Sequence, residues 1–111
     1  MKTIDWYYLR KSWKSCTKAQ EFLAANDIGV TEEVNCKKEL IDSAELSLRL
    51  SKLSKVFVTK GKKVLELDPE TDKEEILSTA IGRSGNLRAP SVRHRGILVV
   101  GFHETTYASL F

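Results

Sequence analysis

The sequence is poor in the residues that stabilise secreted scaffolds and build metal sites. Its 111 residues include two cysteines, two prolines and two histidines. Two cysteines cannot form a disulfide framework, and His94 and His103 are far apart and lack metal-ligand spacing. A chain of this length can bury roughly 65% of its surface on folding, so it needs neither a disulfide nor a metal to fold. We therefore expect no metal site and no bound cofactor.

Long apolar runs and long basic runs are also absent. No apolar run approaches the roughly 20 residues that span a bilayer, and residues 1–5 lack the charged and apolar regions of a secretory signal. Together with the scarcity of cysteine, these absences predict a cytoplasmic protein without a membrane partner. The net charge is only +3. Because no nucleic-acid motif accompanies that charge, nucleic-acid binding is a minor alternative.

Apolar periodicity in the first third of the chain predicts a strand, a helix and a second strand. Residues 3–9 are β-branched and aromatic with little alternation, which is typical of a strand buried on both faces. A helix is predicted over 17–26 and a short edge strand over 30–34, with Gly29 ending the helix. Two strands joined by a helix imply a right-handed parallel unit.

The rest of the chain predicts further helices and two hairpins. These are one or two helices in 38–54, a hairpin over 55–68 around Gly61, a helix from Thr71 or Asp72 to about Ile81, strands over 91–94 and 97–100 joined at Arg95-Gly96, and a last helix from His103 or Thr105 to about Phe111. No break in composition marks a second domain. Residues 1–111 are therefore predicted to form one α/β domain around a central sheet of mixed direction.

The stretch from Ser12 to Cys16 lies between the first strand and the first helix. A thiol at a helix start feels the positive end of the helix dipole, which favours the thiolate. In the redox motif Cys-x-x-Cys, one cysteine sits at the exposed helix start and the second follows three residues later. Here Trp13 occupies the first place and Cys16 the second. The alternative interpretation of Cys16 is a small apolar residue of the buried helix face.

Two stretches resemble a known family. Residues 15–23 resemble the first-helix start of the arsenate reductase (ArsC) and Spx-related family. Residues 87–92 and 96–102 resemble the cis-proline hairpin of that family and of glutaredoxins. The resemblance covers nearly all of the chain and implies a thioredoxin-like fold of the glutaredoxin/ArsC type, with a helical insertion and a small hairpin. It also implies a cis peptide before Pro90, and a turn at which the backbone of Ala89 pairs with an extended substrate such as glutathione.

The same resemblance assigns roles at the helix start. Trp13 aligns with the attacking cysteine of the family and Cys16 with the cysteine that resolves the mixed disulfide. An indole can perform neither step, so the sequence departs from the family at its most reactive position. Lys14, together with the helix dipole, would stabilise an anion at position 13.

Arginine and the proline turn supply the remaining candidate site residues. In arsenate reductases an arginine beside the cis-proline helps to bind the oxyanion. In this chain Ala89 stands directly before Pro90, and Arg88 lies one residue further back. The candidate substrate-binding residues are accordingly Lys14, Arg88, Ala89 and Pro90.

One explanation of Trp13 is a selenocysteine position. The codon UGA is read as selenocysteine in some genes and as tryptophan in some codes, and some ArsC-like proteins are thought to carry selenocysteine before x-x-Cys. A selenol is ionised to the selenolate near neutral pH, so Lys14 would then have a negative charge at position 13 to stabilise.

Cys36 follows the second predicted strand and would lie on the same side of the sheet as Cys16. A disulfide between them requires Cα atoms within about 7 Å. We expect instead that Cys36 is a solvent-exposed bystander.

The first functional expectation is therefore a thiol or selenol oxidoreductase. Its partner would be a thiol-containing small molecule or protein, with glutathione or a thioredoxin-type protein as reductant. The second expectation is a non-enzymatic regulator like the Spx branch, which acts by protein contact, with RNA polymerase as the partner in that case. The third is a member of the fold that has lost its redox chemistry.

Overall fold

A computed structural model describes residues 2–10 and 14–111, and this part of the chain contains six strands and four helices. The strands are β1 (Lys2–Leu9), β2 (Ile28–Asn35), β3 (Lys55–Lys60), β4 (Lys63–Leu67), β5 (Ser91–His94) and β6 (Ile97–Val100). The helices are α1 (Lys14–Ala25), α2 (Ser43–Leu50), α3 (Lys73–Ala80) and α4 (Glu104–Leu110). Trp13, the proposed attacking position, lies outside the described residues.

The strands form one mixed sheet in the order β2-β1-β5-β6-β3-β4. β1 and β2 are parallel, as predicted for two strands joined by a helix. β5 runs antiparallel to β1 and pairs with β6 in a hairpin. β3 pairs with β6 in parallel. β4 is the last strand of the sheet and pairs antiparallel with β3 through the hairpin at Gly61. The fold is therefore mixed α/β, which confirms the predicted class at this level.

β1 is buried on both of its faces from Trp6 to Leu9, as its composition predicted, whereas Thr3 and Asp5 nearer its start are exposed. Successive side chains of a strand point to opposite faces. The Tyr7 hydroxyl accordingly donates to a backbone carbonyl of α1, whereas the Tyr8 hydroxyl donates to a carbonyl in the segment before α2. Phe22 of α1 packs edge-to-face on Tyr107 of α4, and α2 contacts α3. Helices α1 and α4 therefore cover one face of the sheet, and α2 and α3 cover the other.

The end of α1 differs from its prediction. Asp27, rather than Gly29, takes the left-handed conformation, with φ of 54°. Asp reaches this region more readily than most residues because its short side chain can hydrogen-bond locally. β2 therefore begins at Ile28, includes Gly29 and is longer than predicted, although it is an edge strand as expected.

The segment 38–54 holds one short helix. Asp42 accepts a hydrogen bond from the Glu45 amide and caps α2. Ahead of this cap, the amide of Ile41 donates to the Asn86 side chain, and the carbonyl of Ile41 accepts from the Leu87 amide. These long-range bonds occupy backbone groups that a longer helix would need, so the apolar pattern of 38–42 does not form one.

The hairpins and the other helices follow their predicted positions closely. Arg95 and Gly96 both have positive φ, 50° and 79°, as a two-residue hairpin turn requires. α3 follows Asp72, and His103 caps α4 by accepting from the Thr106 amide. Within residues 2–10 and 14–111, no helix is both long enough and apolar enough to cross a membrane.

Candidate functional site

Cys16 lies in the first turn of α1 with its side chain only 3% exposed. Its Sγ accepts a hydrogen bond from the Arg10 amide at 3.3 Å. Its carbonyl accepts from the Tyr7 hydroxyl at 3.0 Å, which anchors the helix start to β1. These two hydrogen bonds therefore hold the buried thiol in a fixed position next to the end of β1.

Burial raises the pKa of the Cys16 thiol, because removing the thiolate from water disfavours its charge. The Arg10 amide and the Arg10 charge act in the opposite direction, and nearby Cys36 raises the pKa further. The expectation that the helix start would favour the thiolate is therefore wrong for Cys16, since desolvation outweighs the favourable contacts. A buried, protonated thiol is suited to resolving a mixed disulfide and poorly suited to starting one.

Alkaline pH is expected to destabilise the fold through Cys16. The folded protein holds this proton at pH values where the unfolded chain has lost it, so the stabilisation is complete below the unfolded thiol pKa of about 8.5 and is lost as pH rises through the folded value. Because the folded state retains one proton that the unfolded state has lost, the free energy of unfolding falls by up to about 1.4 kcal/mol per pH unit in this range. Urea unfolding at a series of pH values from about 7 to about 10 should show that the free energy of unfolding falls more steeply with pH for wild type than for Cys16→Ala. Equal pH dependence in the two proteins would contradict the assignment.

The peptide bond between Ala89 and Pro90 is cis, as the resemblance implied. Pro90 is fully buried, and its carbonyl accepts from the Gly101 amide at 2.7 Å, so the turn is tied to the end of β6. Within the described residues, neither the amide nor the carbonyl of Ala89 makes a hydrogen bond. The backbone of Ala89 is thus a polar edge to which an extended ligand could pair.

Arg88 directs its guanidinium into the protein. Nη1 donates to the carbonyls of Thr59 at 2.9 Å and Thr79 at 3.2 Å, and Nη2 lies 3.5 Å from the Thr59 hydroxyl. Its side chain therefore joins the end of β3 to the end of α3. Lys14, by contrast, is exposed at the start of α1.

Cys36 is buried, which makes the expectation of a solvent-exposed bystander wrong. Its amide donates to the Leu9 carbonyl at 2.8 Å and continues the pairing of β2 with β1 beyond Asn35. The N–H of that same Leu9–Arg10 peptide group bonds the Cys16 sulfur. One peptide therefore contacts both cysteines, which are free thiols. The sequence signal was the spacing of Val34 and Cys36, two residues apart on one strand face.

A cavity of about 270 Å³ opens beside Cys36 and brings the proline turn to the second thiol. Its lining includes Arg10, Cys36, Arg83, Ser84, Arg88 and Ala89. Two of the predicted substrate-binding residues, Arg88 and Ala89, are thus at one site with a cysteine. Cys16 is not among the described lining residues, but its Sγ accepts from the amide of Arg10, which lines the cavity.

A larger groove of about 480 Å³ lies between α2 and the sheet. The guanidinium groups of Arg49 and Arg93 lie 5.7 and 5.8 Å from the centroid of the Trp6 ring that forms part of its lining. Asp5 and Glu45 also line it, so its charge is mixed. Neither cysteine is among its described lining residues, and the candidate site is the smaller cavity.

No protein-family profile matches this sequence, and no curated protein matches it.

Proposed function

We propose that this chain is a cytoplasmic, thioredoxin-like thiol or selenol oxidoreductase related to arsenate reductases and glutaredoxins. The strand order β2-β1-β5-β6 supports this fold, with β1 and β2 parallel and a hairpin led by Pro90 antiparallel to β1. The segment from α2 to α3 then corresponds to the helical insertion with its small hairpin. The observation that carries the proposal is the buried Cys16 thiol, fixed by the Arg10 amide at the end of β1.

The chemistry is disulfide exchange in two steps. A thiolate or selenolate at position 13 attacks one sulfur of a substrate disulfide, and the other sulfur leaves with the bonding electron pair. The Cys16 thiol then loses its proton and attacks residue 13, which releases the second substrate thiol and leaves residues 13 and 16 joined. Glutathione or a thioredoxin-type protein returns both to the reduced state. The free backbone of Ala89 would hold the substrate chain.

Trp13 prevents this cycle in the chain as it stands, so restoring the missing group tests the proposal. In a glutathione-coupled assay with a small mixed disulfide, Trp13→Cys is expected to act at least about tenfold above background, because a cysteine thiolate is a strong nucleophile. Trp13→Ser, the matched control, should stay at background. Both variants should carry Cys36→Ser, so that the second thiol does not contribute.

A folded Trp13→Cys protein no more active than Trp13→Ser would contradict the oxidoreductase proposal. The selenocysteine explanation has a separate test in the native codon. UGA at position 13, or a selenium-containing mass in protein from the source organism, supports it, and a UGG codon ends it.

A regulator that acts by protein contact is the second candidate. Leu40 and Leu48 are each 71% exposed, and together with Trp13 in place of a nucleophile they favour binding over catalysis. Failure of the Trp13→Cys variant would leave this candidate in place, with RNA polymerase as the first partner to test by co-purification.

A further inference from the structure

We infer that Cys36 is a second reactive thiol of this chain, and that it exchanges with low-molecular-weight disulfides that carry carboxylates. Arg83 would bind the carboxylate at the cavity beside Cys36. This site does not require a nucleophile at position 13, so its test can fail while the proposed function survives, and the reverse also holds.

The first support is the shape of the cavity. Its volume of about 270 Å³ is close to the lower limit of small-molecule pockets, about 300 Å³. It can therefore accept the end of a small thiol compound but not a folded protein segment. Cys36 lines this cavity, whereas Cys16 is not among its described lining residues and has its sulfur engaged by the Arg10 amide.

The second support is charge. The described residues that line the cavity include three arginines and no aspartate or glutamate. Arg88 uses its guanidinium on internal acceptors, whereas Arg83 is exposed at the cavity and presents its charge to a ligand. Arg10 also lines the cavity, and its charge lowers the pKa of the Cys16 thiol. Guanidinium groups bind carboxylates through bidentate hydrogen bonds, so the positive lining of this cavity suits a ligand that carries a carboxylate.

The third support is a preformed wall. The loop that carries Arg83 is closed by hydrogen bonds from the Gly82 amide to the Asn86 carbonyl and from the Gly85 amide to the Gly82 carbonyl. The Asn86 side chain donates to the Tyr8 hydroxyl and accepts from the Ile41 amide. The loop is thus fixed to the sheet before any ligand arrives, which lowers the ordering cost of binding.

The reaction is a single exchange. The Cys36 thiol gives its proton to solvent and its sulfur attacks one sulfur of the ligand disulfide. A Cys36–ligand disulfide forms, the ligand S–S bond breaks, and the other half of the ligand leaves as a thiolate with the electron pair. A second thiol of the same class reverses the step, so the ligand itself supplies both oxidant and reductant.

Three disulfide probes of different charge test the inference on the chain with Trp13 in place. They are the dianion 5,5′-dithiobis(2-nitrobenzoate), neutral 2,2′-dithiodipyridine and cationic cystamine, with oxidised glutathione as a natural anionic disulfide. Because leaving groups differ among the probes, each rate constant is divided by that of a small free thiol with the same probe. We expect these normalised rate constants of wild type to be highest for the anionic probes, and peptide mapping to place the adduct on Cys36. Arg83→Gln should lower the ratio of anionic to neutral rate constants about three- to tenfold, and added salt should lower it in wild type.

Arg95→Gln is the matched control, because Arg95 is exposed in the β5–β6 turn and does not line the cavity. It should leave the rate ratio unchanged. Cys36→Ala should remove the fast reaction and Cys16→Ala should keep it, with circular dichroism confirming that each variant folds. An adduct found on Cys16, or a rate ratio that Arg83→Gln does not change, would overturn the inference.

Discussion

Gly101→Ala is expected to lower the free energy of unfolding by about 4 kcal/mol. Gly101 has φ of +87°, where a residue with a Cβ is strained by about 1–2 kcal/mol. A Cβ at this position would also overlap the hydroxyl of Thr59, which is buried with only 6% of its surface exposed. Relieving such an overlap in a packed interior costs about 1–3 kcal/mol more. Urea denaturation followed by circular dichroism measures the sum.

Gly61→Ala separates the two causes. Gly61 has a similar φ of +61° but nothing within 4 Å of the added carbon, so only the conformational cost of about 1 kcal/mol should appear. In a Thr59→Ala background the hydroxyl is gone, and Gly101→Ala should cost about 2 kcal/mol less than in wild type. Equal losses for Gly61→Ala and Gly101→Ala would show that the overlap contributes nothing.

The effect should extend to the site, because the Gly101 amide donates to the Pro90 carbonyl. A displacement of Gly101 therefore acts directly on the turn that presents Ala89. This connection explains why a glycine directly after a buried strand suits this fold: the strand end must approach both Thr59 and the proline turn.

The strands were the most predictable part of the fold, and their signals were local. Residues 6–9 lack alternation because this part of β1 is covered on both faces. Arg95-Gly96 is a turn whose geometry its own residues dictate. The segment between β2 and α2 was less predictable. Residues 38–42 have an apolar pattern, yet Ile41 bonds to Asn86 and Leu87, more than forty residues away along the chain.

The candidate site was predictable in its backbone and not in its side chains. The family resemblance implied the cis-proline turn, and the strand–helix–strand order brought Cys16 to the end of β1. The contact of both Cys16 and Cys36 with the Leu9–Arg10 peptide joins separate segments of the chain, so no local pattern encodes it. Whether an arginine faces a ligand or the protein is likewise decided by acceptors that are distant in sequence.

Arg88→Met is expected to lower the free energy of unfolding by about 3 kcal/mol, because it leaves two interior carbonyls without their donor. Methionine keeps the apolar stem of Arg88 but loses the bonds to the Thr59 and Thr79 carbonyls. Arg83→Met, at an exposed residue of the same cavity, should change stability by less than about 0.5 kcal/mol and is the control for loss of charge. Chemical denaturation of both variants gives the comparison. If Arg88→Met is as stable as wild type but no longer favours anionic over neutral disulfides, then the guanidinium serves the ligand, as the sequence predicted, and the internal bonds are dispensable.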